Sequence, residues 1–310
     1  MSVFARSTFS AAGYAAFRPS YPASLYKMVL AYHKPSSADG TALDLGCGPG
    51  VIARELAPHF GRVLGVDPSA VMVKQASEST RDPRITFRQG SAEDLSSMAG
   101  DATVDLAVAG QAAHWFDYGR AWPELARVVR GGGTLAFWGY KDNILVGFPA
   151  ANEILEHFCY GEGEAAAGSG WETMERYWER PGRQMLRDSL EAVVPPESDW
   201  TAVRRIVYEP DRRTAQVGTG PGSEEAAWQR KRLKLGEFEG YVRTFSAYVG
   251  WRDAHPEVKS RAEGGEGDLA DLLFDRLLEA VPEWKAKGDK WREVEVEGVW
   301  GTVVILAKRR

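Results

Sequence analysis

One heptapeptide, Asp44-Leu45-Gly46-Cys47-Gly48-Pro49-Gly50, constrains this chain more than any other feature. It follows an apolar run, Thr41 to Leu45, that reads as a strand, and precedes Val51 to Phe60, which reads as a helix. Closely spaced glycines let the backbone turn sharply at a strand end and lie against a ligand with no Cβ between them. The spacing argues against two nucleotide-binding readings. A dinucleotide fingerprint needs its third glycine three residues after the second, where Val51 stands. A phosphate loop continues into Lys and Ser or Thr, and here Val51 and Ile52 follow. The loop suits a ligand that carries no phosphate.

The segments around the loop alternate. Tyr21 to His33 has helical spacing, with Leu25, Met28, Val29 and Tyr32 on one side. Strands are expected at Thr41 to Leu45, Arg62 to Val66, Arg84 to Phe87, Val104 to Ala109 and Thr134 to Trp138. Helices are expected from Val51, from Pro68-Ser69 and over Tyr118 to Arg130, the last stopped by Gly131, Gly132 and Gly133. Strands alternating with helices predict βαβ units and a parallel sheet covered on both faces. After Tyr140 the pattern changes. Helices are expected over Ile144 to Tyr160, Trp171 to Val194, Glu225 to Trp251 and Leu269 to Val281, with a strand at Thr201 to Tyr208. The tail returns to strand patterning at Trp291 to Val296 and Thr302 to Leu306, paired about a turn near Gly298 and Gly301. The expectation is an α/β sheet domain, residues 1–140 plus 286–310, with a mainly helical substrate cap, 141–285, inserted between.

Composition narrows the class. Across 310 residues, 44% are apolar and 26% charged, and the net charge is −5 with no basic block. Nothing marks a nucleic-acid track. The two cysteines, Cys47 and Cys159, make no disulfide framework or metal-ligand spacing. No apolar run has signal-peptide or membrane-spanning length. A cytoplasmic protein with no membrane or nucleic-acid partner, monomeric or homodimeric, is expected.

Several residues are candidates for chemistry. Asp67 ends the second strand, where a carboxylate can take both hydroxyls of a ribose; the alternative is that it caps the helix from Pro68 or Ser69. Ser91 and the backbone N–H of Ala92, after the third strand, lie where an adenine edge is met in such folds. Glu93 and Asp94 there serve equally well as helix-start acids. An aromatic set, Trp115, Trp138, Tyr140, Trp171, Tyr177 and Trp178, can wall a pocket and face a sulfonium, or simply pack cap on sheet. Arg180 and Arg183 can hold an acidic substrate or lie on the surface.

With these motifs in place, the chain resembles a class I S-adenosylmethionine-dependent methyltransferase, and more narrowly the trans-aconitate methyltransferase-like group of fungi and bacteria. Four segments carry the resemblance: Tyr14 to Pro22, the Asp44 to Gly50 loop, Gln111 to Asp117 (Gln-Ala-Ala-His-Trp-Phe-Asp) and Tyr177 to Arg183, with Tyr248 to Pro256 a weaker echo. The resemblance implies a Rossmann-like, seven-stranded, mostly parallel sheet with an antiparallel last strand. It implies S-adenosylmethionine as cofactor and S-adenosylhomocysteine as product. The cofactor-binding set would be Tyr14, Arg18, Asp44, Gly46, Cys47, Gly48, Asp67, Pro68, Ser91, Ala92 and Gln111. Within it Tyr14 and Arg18 close over the methionine end, and Gln111 stands beside the sulfonium. His114 and Trp115 would flank the reacting centre. The substrate wall would be Trp115, Tyr140, Trp171, Trp178 and Arg183.

The reaction so implied is an in-line displacement, dominated by alignment and exclusion of water. The acceptor would be a small molecule methylated on a carboxylate or other oxygen. An ionised carboxylate needs no base, whereas a phenol, hydroxyl or amine gains from one, and His114 is the best-placed residue for that role. It serves equally well as a hydrogen-bonded wall residue. Two other readings compete: the same fold recruited to a non-methyl-transfer reaction, or a non-catalytic cofactor-binding regulator. The fourth strand lacks the Asn/Asp-Pro-Pro-Tyr segment common in enzymes that methylate nucleic-acid nitrogens.

Overall fold

The computed structural model describes residues 17–18, 20–34, 39–161, 171–216 and 227–310. Tyr14 lies outside them. In the first half, β1 (Thr41–Leu45), β2 (Arg62–Asp67), β3 (Ile85–Gln89), β4 (Val104–Gly110) and β5 (Val129–Leu145) form five parallel strands in the order 3-2-1-4-5. Helices α1 (Ala23–His33), α2 (Val51–Leu56), α3 (Ala70–Ser79) and α4 (Tyr118–Val128) accompany them. Alternate residues of one strand serve opposite faces. On β4 and β5, Leu106, Val108, Ala136 and Trp138 enter one apolar cluster, and Ala107, Ala109, Leu135 and Phe137 the other. This is the double-sided burial of a parallel sheet.

The second half adds α5 (Pro149–Tyr160), α6 (Gly182–Arg187), β6 (Trp200–Tyr208), β7 (Arg230–Lys234), α7 (Leu235–Val242), α8 (Ser246–Ala254), α9 (Leu269–Ala280) and β8 (Glu295–Arg309). β8 runs antiparallel to β5 along one edge. Its other edge is shared: β7 pairs with Glu295 to Val299, and β6 with Thr302 to Arg309. Among the described residues the sheet therefore has eight strands rather than seven, because β8 outruns β6 and leaves a second stretch of edge for β7. The first apolar cluster continues from the sheet into the later helices through Phe238, Tyr241, Phe274, Trp284 and Trp300.

Four local expectations are corrected. Trp171 to Val194 is not one helix: a single turn, Glu175–Tyr177, and α6 stand apart, with Pro181, which has no N–H to give, between them. Glu225 to Trp251 is not one helix either, since Arg230 to Lys234 is drawn into the sheet by the open edge of β8. Gly131 to Gly133 do not end a helix but lie inside β5, beside a register shift against β4. The tail is one fifteen-residue strand, not a hairpin, and Trp291 sits in the turn Gly288–Glu293 before it. Gly298 and Gly301 are within the strand. Gly301 faces a bulge of β5, where Tyr140 pairs with Thr302 and Asn143 with Trp300, so that Lys141 and Asp142 share one place in the ladder.

Candidate functional site

The site lies where the strand order reverses. β1 has β2 on one side and β4 on the other, and the loops from their carboxyl ends diverge there, the usual place for a ligand in an open α/β sheet. The glycine loop is held from below by Val66, whose carbonyl accepts from the N–H groups of Gly46 (2.8 Å) and Cys47 (3.0 Å). Gly46 has φ +66°, and a Cβ there would lie 2.5 Å from that of Ala112. The loop thus abuts the segment Gln111 to Trp115. Gly48 has φ +51° with open space where a Cβ would stand, so its backbone can be approached closely.

Asp67 is buried and organises this end. Its Oδ2 accepts from the Gly48 N–H and its Oδ1 from the Ser69 N–H, each at 2.8 Å. Burial pushes the carboxyl up and those two N–H groups pull it back. Helix capping falls instead to Ser69, whose Oγ accepts from Met72 N–H. Each Asp67 oxygen keeps a second lone pair for a ligand hydroxyl. The Gly90 N–H donates to the Asp67 carbonyl (3.1 Å), and the Gln89 amide donates to the Pro68 carbonyl (3.0 Å). Ser91 and buried Ala92 follow directly, so Asp67, Pro68, Ser91 and Ala92 share one rim. Glu93 does not cap a helix; it accepts from the Asp117 N–H.

Beneath the loop, Asp44 is fully buried. Its Oδ2 accepts from the Ala53 N–H (3.1 Å), while Oδ1 has no partner. Burial pushes its carboxyl up to about 8, with Asp67 adding to the rise. The Tyr26 hydroxyl of α1 is also buried without a partner, and its phenol is raised by burial and by Asp44. The cofactor implied by such a loop carries a ribose and an ammonium. The unpaired Asp44 oxygen, the open approach to Gly48 and the spare Asp67 lone pairs all fit that group. Tyr26 lies in no motif, and only its place on the apolar face of α1 could have pointed to it.

After β4 the chain reaches Gln111, a non-glycine residue at φ +56°. Its amide clasps the Tyr140 backbone, accepting from the N–H and donating to the carbonyl, both at 2.8 Å. Strain of this kind gathers at ligand sites. Beyond it open two adjoining pockets that share Arg18, Gln111, Trp178 and Arg183; Tyr140 lines one, and His114 and Trp115 line the other. Arg18 donates to the Thr244 carbonyl (2.9 Å) and lies against the Tyr241 and Phe245 rings. His114 is buried, its ring 4.6 Å from that of half-open Trp115. Burial, then the charges of Arg183 and Arg18, push its imidazole down to about 3.

A charged cluster missed in the sequence completes the wall. The bulge of β5 delivers Asp142 to Arg183 and to the Tyr160 hydroxyl, and Arg183 also donates to Tyr160. Arg212 reaches Asp142 (3.2 Å) and Glu156 (2.5 Å), and Arg187 reaches Glu156 (2.9 Å). Although burial opposes it, Arg183 and Arg212 hold the Asp142 carboxyl below the usual range. Among the described residues, Arg18, Lys141, Arg183 and Arg212 line this pocket together with Asp142 and Glu156, so basic side chains outnumber carboxylates along its wall. Nothing in the sequence spacing joins residues 142, 156, 160, 183, 187 and 212; the fold alone brings them together.

Other expected wall residues lie elsewhere. Trp171 packs on His157 (5.4 Å) with Arg276 over its ring (4.5 Å), so the helix pair α5 and α9 claims it and the cavity does not. Trp138 is wholly buried against Tyr21 and Tyr26. Tyr177 packs on His255, and Arg180 is exposed beside Glu175. Among the described residues, no cluster of metal-ligating side chains occurs and no helix is long and apolar enough to cross a membrane.

Comparison with known proteins agrees with this geometry. Residues 43–137 match the family model described as a methyltransferase domain. The chain is 28% identical over 278 residues to the Saccharomyces cerevisiae "Probable S-adenosylmethionine-dependent methyltransferase CRG1", covering 87% of this chain and 88% of that protein. It is 29% identical to methyltransferase pgmE of Aspergillus terreus, covering 96% and 92%. A solved structure described as a type II methyltransferase of Anaeromyxobacter dehalogenans superposes with a TM-score of 0.61 at 26% identity, over 94% of this chain and 98% of that one. Sheet order and loop define a Rossmann-like nucleoside-binding enzyme fold of the methyltransferase type. The chain is a class I S-adenosylmethionine-dependent methyltransferase, and S-adenosylmethionine is its cofactor.

Proposed function

We propose that this enzyme methylates an oxygen of a small anionic metabolite, a carboxylate. The basic lining of the cavity beside Gln111 carries this reading, because Arg18, Lys141, Arg183 and Arg212 along one wall favour a carboxylate acceptor. Gly46, Cys47 and Gly48 would cradle the cofactor, Asp44 would meet its ammonium, Asp67 its ribose, and Pro68, Ser91 and Ala92 its adenine. Arg18 and Tyr14 would close the methionine end, with Gln111 between the two ligands. When bound, S-adenosylmethionine supplies a methyl group already activated by its sulfonium charge. Trp115, Tyr140, Trp178 and Arg183 would hold the acceptor and exclude water. His114, with its imidazole pushed down to about 3, is a poor base for a neutral hydroxyl, and a carboxylate asks for none. Residues 1–140 with 286–310 would hold the cofactor, and 141–285 the acceptor. The two free, buried thiols, Cys47 and Cys159, suit a reducing cytoplasm.

Calorimetric titration with S-adenosylmethionine and S-adenosylhomocysteine, with Asp67→Ala in parallel, tests the cofactor roles. Loss of a charge-assisted hydrogen-bonding pair should weaken both by about tenfold or more. A screen with labelled methyl donor follows, starting from small carboxylic acids. Methylation confined to amines or phenols would refute the acceptor class.

A further inference from the structure

Among the described residues, the buried polar atoms at the acceptor cavity without a hydrogen-bond partner include Nδ1 of His114 and Nε of Arg183. These two come from different elements, the turn after β4 and the start of α6. Gly182, the residue before Arg183, packs against Trp115 and the Cδ2 edge of His114: a Cβ on it would lie 2.8 Å from the Trp115 ring and 3.2 Å from Cδ2 of His114. Its backbone therefore rests on both rings, and the next residue, Arg183, enters the same cavity. Arg183 cannot turn away to satisfy itself. Its Nη2 is held by Asp142 and the Tyr160 hydroxyl, and its guanidinium lies 4.2 Å from the Trp178 ring centroid.

Buried polar atoms in native proteins are nearly always hydrogen-bonded, and an exception calls for a ligand or a reason. One oxygen could satisfy both of these. Arg183 Nε–H can only donate, and a neutral imidazole carrying its hydrogen on Nδ1 donates too. A hydroxyl giving its proton to His114 is the rival arrangement. It would create an imidazolium in a space already facing the charges of Arg183 and Arg18, which oppose it. A carboxylate oxygen asks only for donors.

We propose that His114 Nδ1 and Arg183 Nε form a two-donor seat for one carboxylate oxygen of the acceptor, and that Asp142 is the positioning residue that aims Arg183 into it. This rests on the carboxylate reading given above. The seated oxygen leaves its twin free to attack. The twin's lone pair forms the oxygen–methyl bond as the sulfur–methyl bond breaks, that bonding pair stays on sulfur, and no proton moves.

The test uses the full-length enzyme saturated with labelled methyl donor, and a panel of small carboxylic acids beside their neutral amides. S-adenosylhomocysteine affinity checks that each variant is folded. His114→Asn keeps a donor near Nδ1 and should hold KM within about threefold, whereas His114→Leu should raise KM about tenfold. Asp142→Asn and Arg183→Lys should also raise KM about tenfold, with kcat little changed and S-adenosylhomocysteine binding intact. A rise in KM in His114→Asn equal to that in His114→Leu would overturn the donor role. Carboxylates methylated equally well by His114→Leu and Arg183→Lys would overturn the seat and leave the acceptor class standing. Failure of every carboxylate with the wild-type enzyme, while another acceptor is methylated, would refute the reading beneath both.

Discussion

At the scale of single residues, the site keeps polar groups in states they would not choose in water. Asp44 is the clearest. Its carboxyl, pushed up to about 8, holds a proton at neutral pH until a cation arrives. If the cofactor's ammonium pairs with Asp44, binding at pH 7 should expel a proton, and affinity should rise with pH up to about 8. Calorimetry in buffers of different ionisation enthalpy reads this directly. Because the folded state raises this pKa, ionising Asp44 costs stability as pH climbs from about 4 towards 8. Asp44→Asn should therefore weaken cofactor binding yet raise the melting temperature at pH 8, by about 2 °C or more. The histidines run the other way. His33, bonded to Thr134 Oγ1, is pushed down to about 4 by burial and Lys308, and His114 to about 3. Both stay neutral in the folded state, so the stability they contribute is intact above about pH 6.5 and is lost as pH falls towards 4. Denaturant midpoints at pH 7.5 and 5 should differ more for the wild type than for a His33→Gln/His114→Asn variant.

At the scale of elements, turns decide where ligands sit. Gly46→Ala would put a side chain at φ +66° and a Cβ 2.5 Å from that of Ala112. The left-handed conformation alone costs about 1–2 kcal/mol. Ala112→Gly in the same molecule should restore part of the lost cofactor affinity and not all of it, as titration would show. This loop was legible in the sequence because glycine spacing is local and each glycine answers a local need. The same holds for β1 to β4 and for Asp67, which lies at a strand end fixed by hydrophobic pattern, whereas Gln111 was reached only through the resemblance. What escaped was non-local. Arg230 to Lys234 has helical neighbours and becomes a strand only because β8 offers an edge. The Asp142 cluster depends on a bulge whose partner, Gly301, lies far along the chain. Trp171 shares its chemistry with Trp178, yet α9 supplies Arg276 over the first and the cavity takes the second.

At the scale of the whole molecule, cap and sheet are bound into one structure. β5 runs from Val129 to Leu145 across the division expected at 140, β6 and β7 are strands of the same sheet, and one apolar cluster passes from α1 and α2 to α7 and α9. Unfolding should be a single transition, with calorimetric and van't Hoff enthalpies equal; two resolved transitions would show that the cap melts alone. β8, which holds β5, β6 and β7 together, is also the strand that follows all of them in the chain. On the ribosome, β1 to β5 can pair as they emerge, but β6 and β7 must wait for a partner not yet translated. During that interval the nascent chain carries two unpaired strands and an open β5 edge. Its passage to the native state depends on translation reaching residue 295 before those edges find one another or another chain.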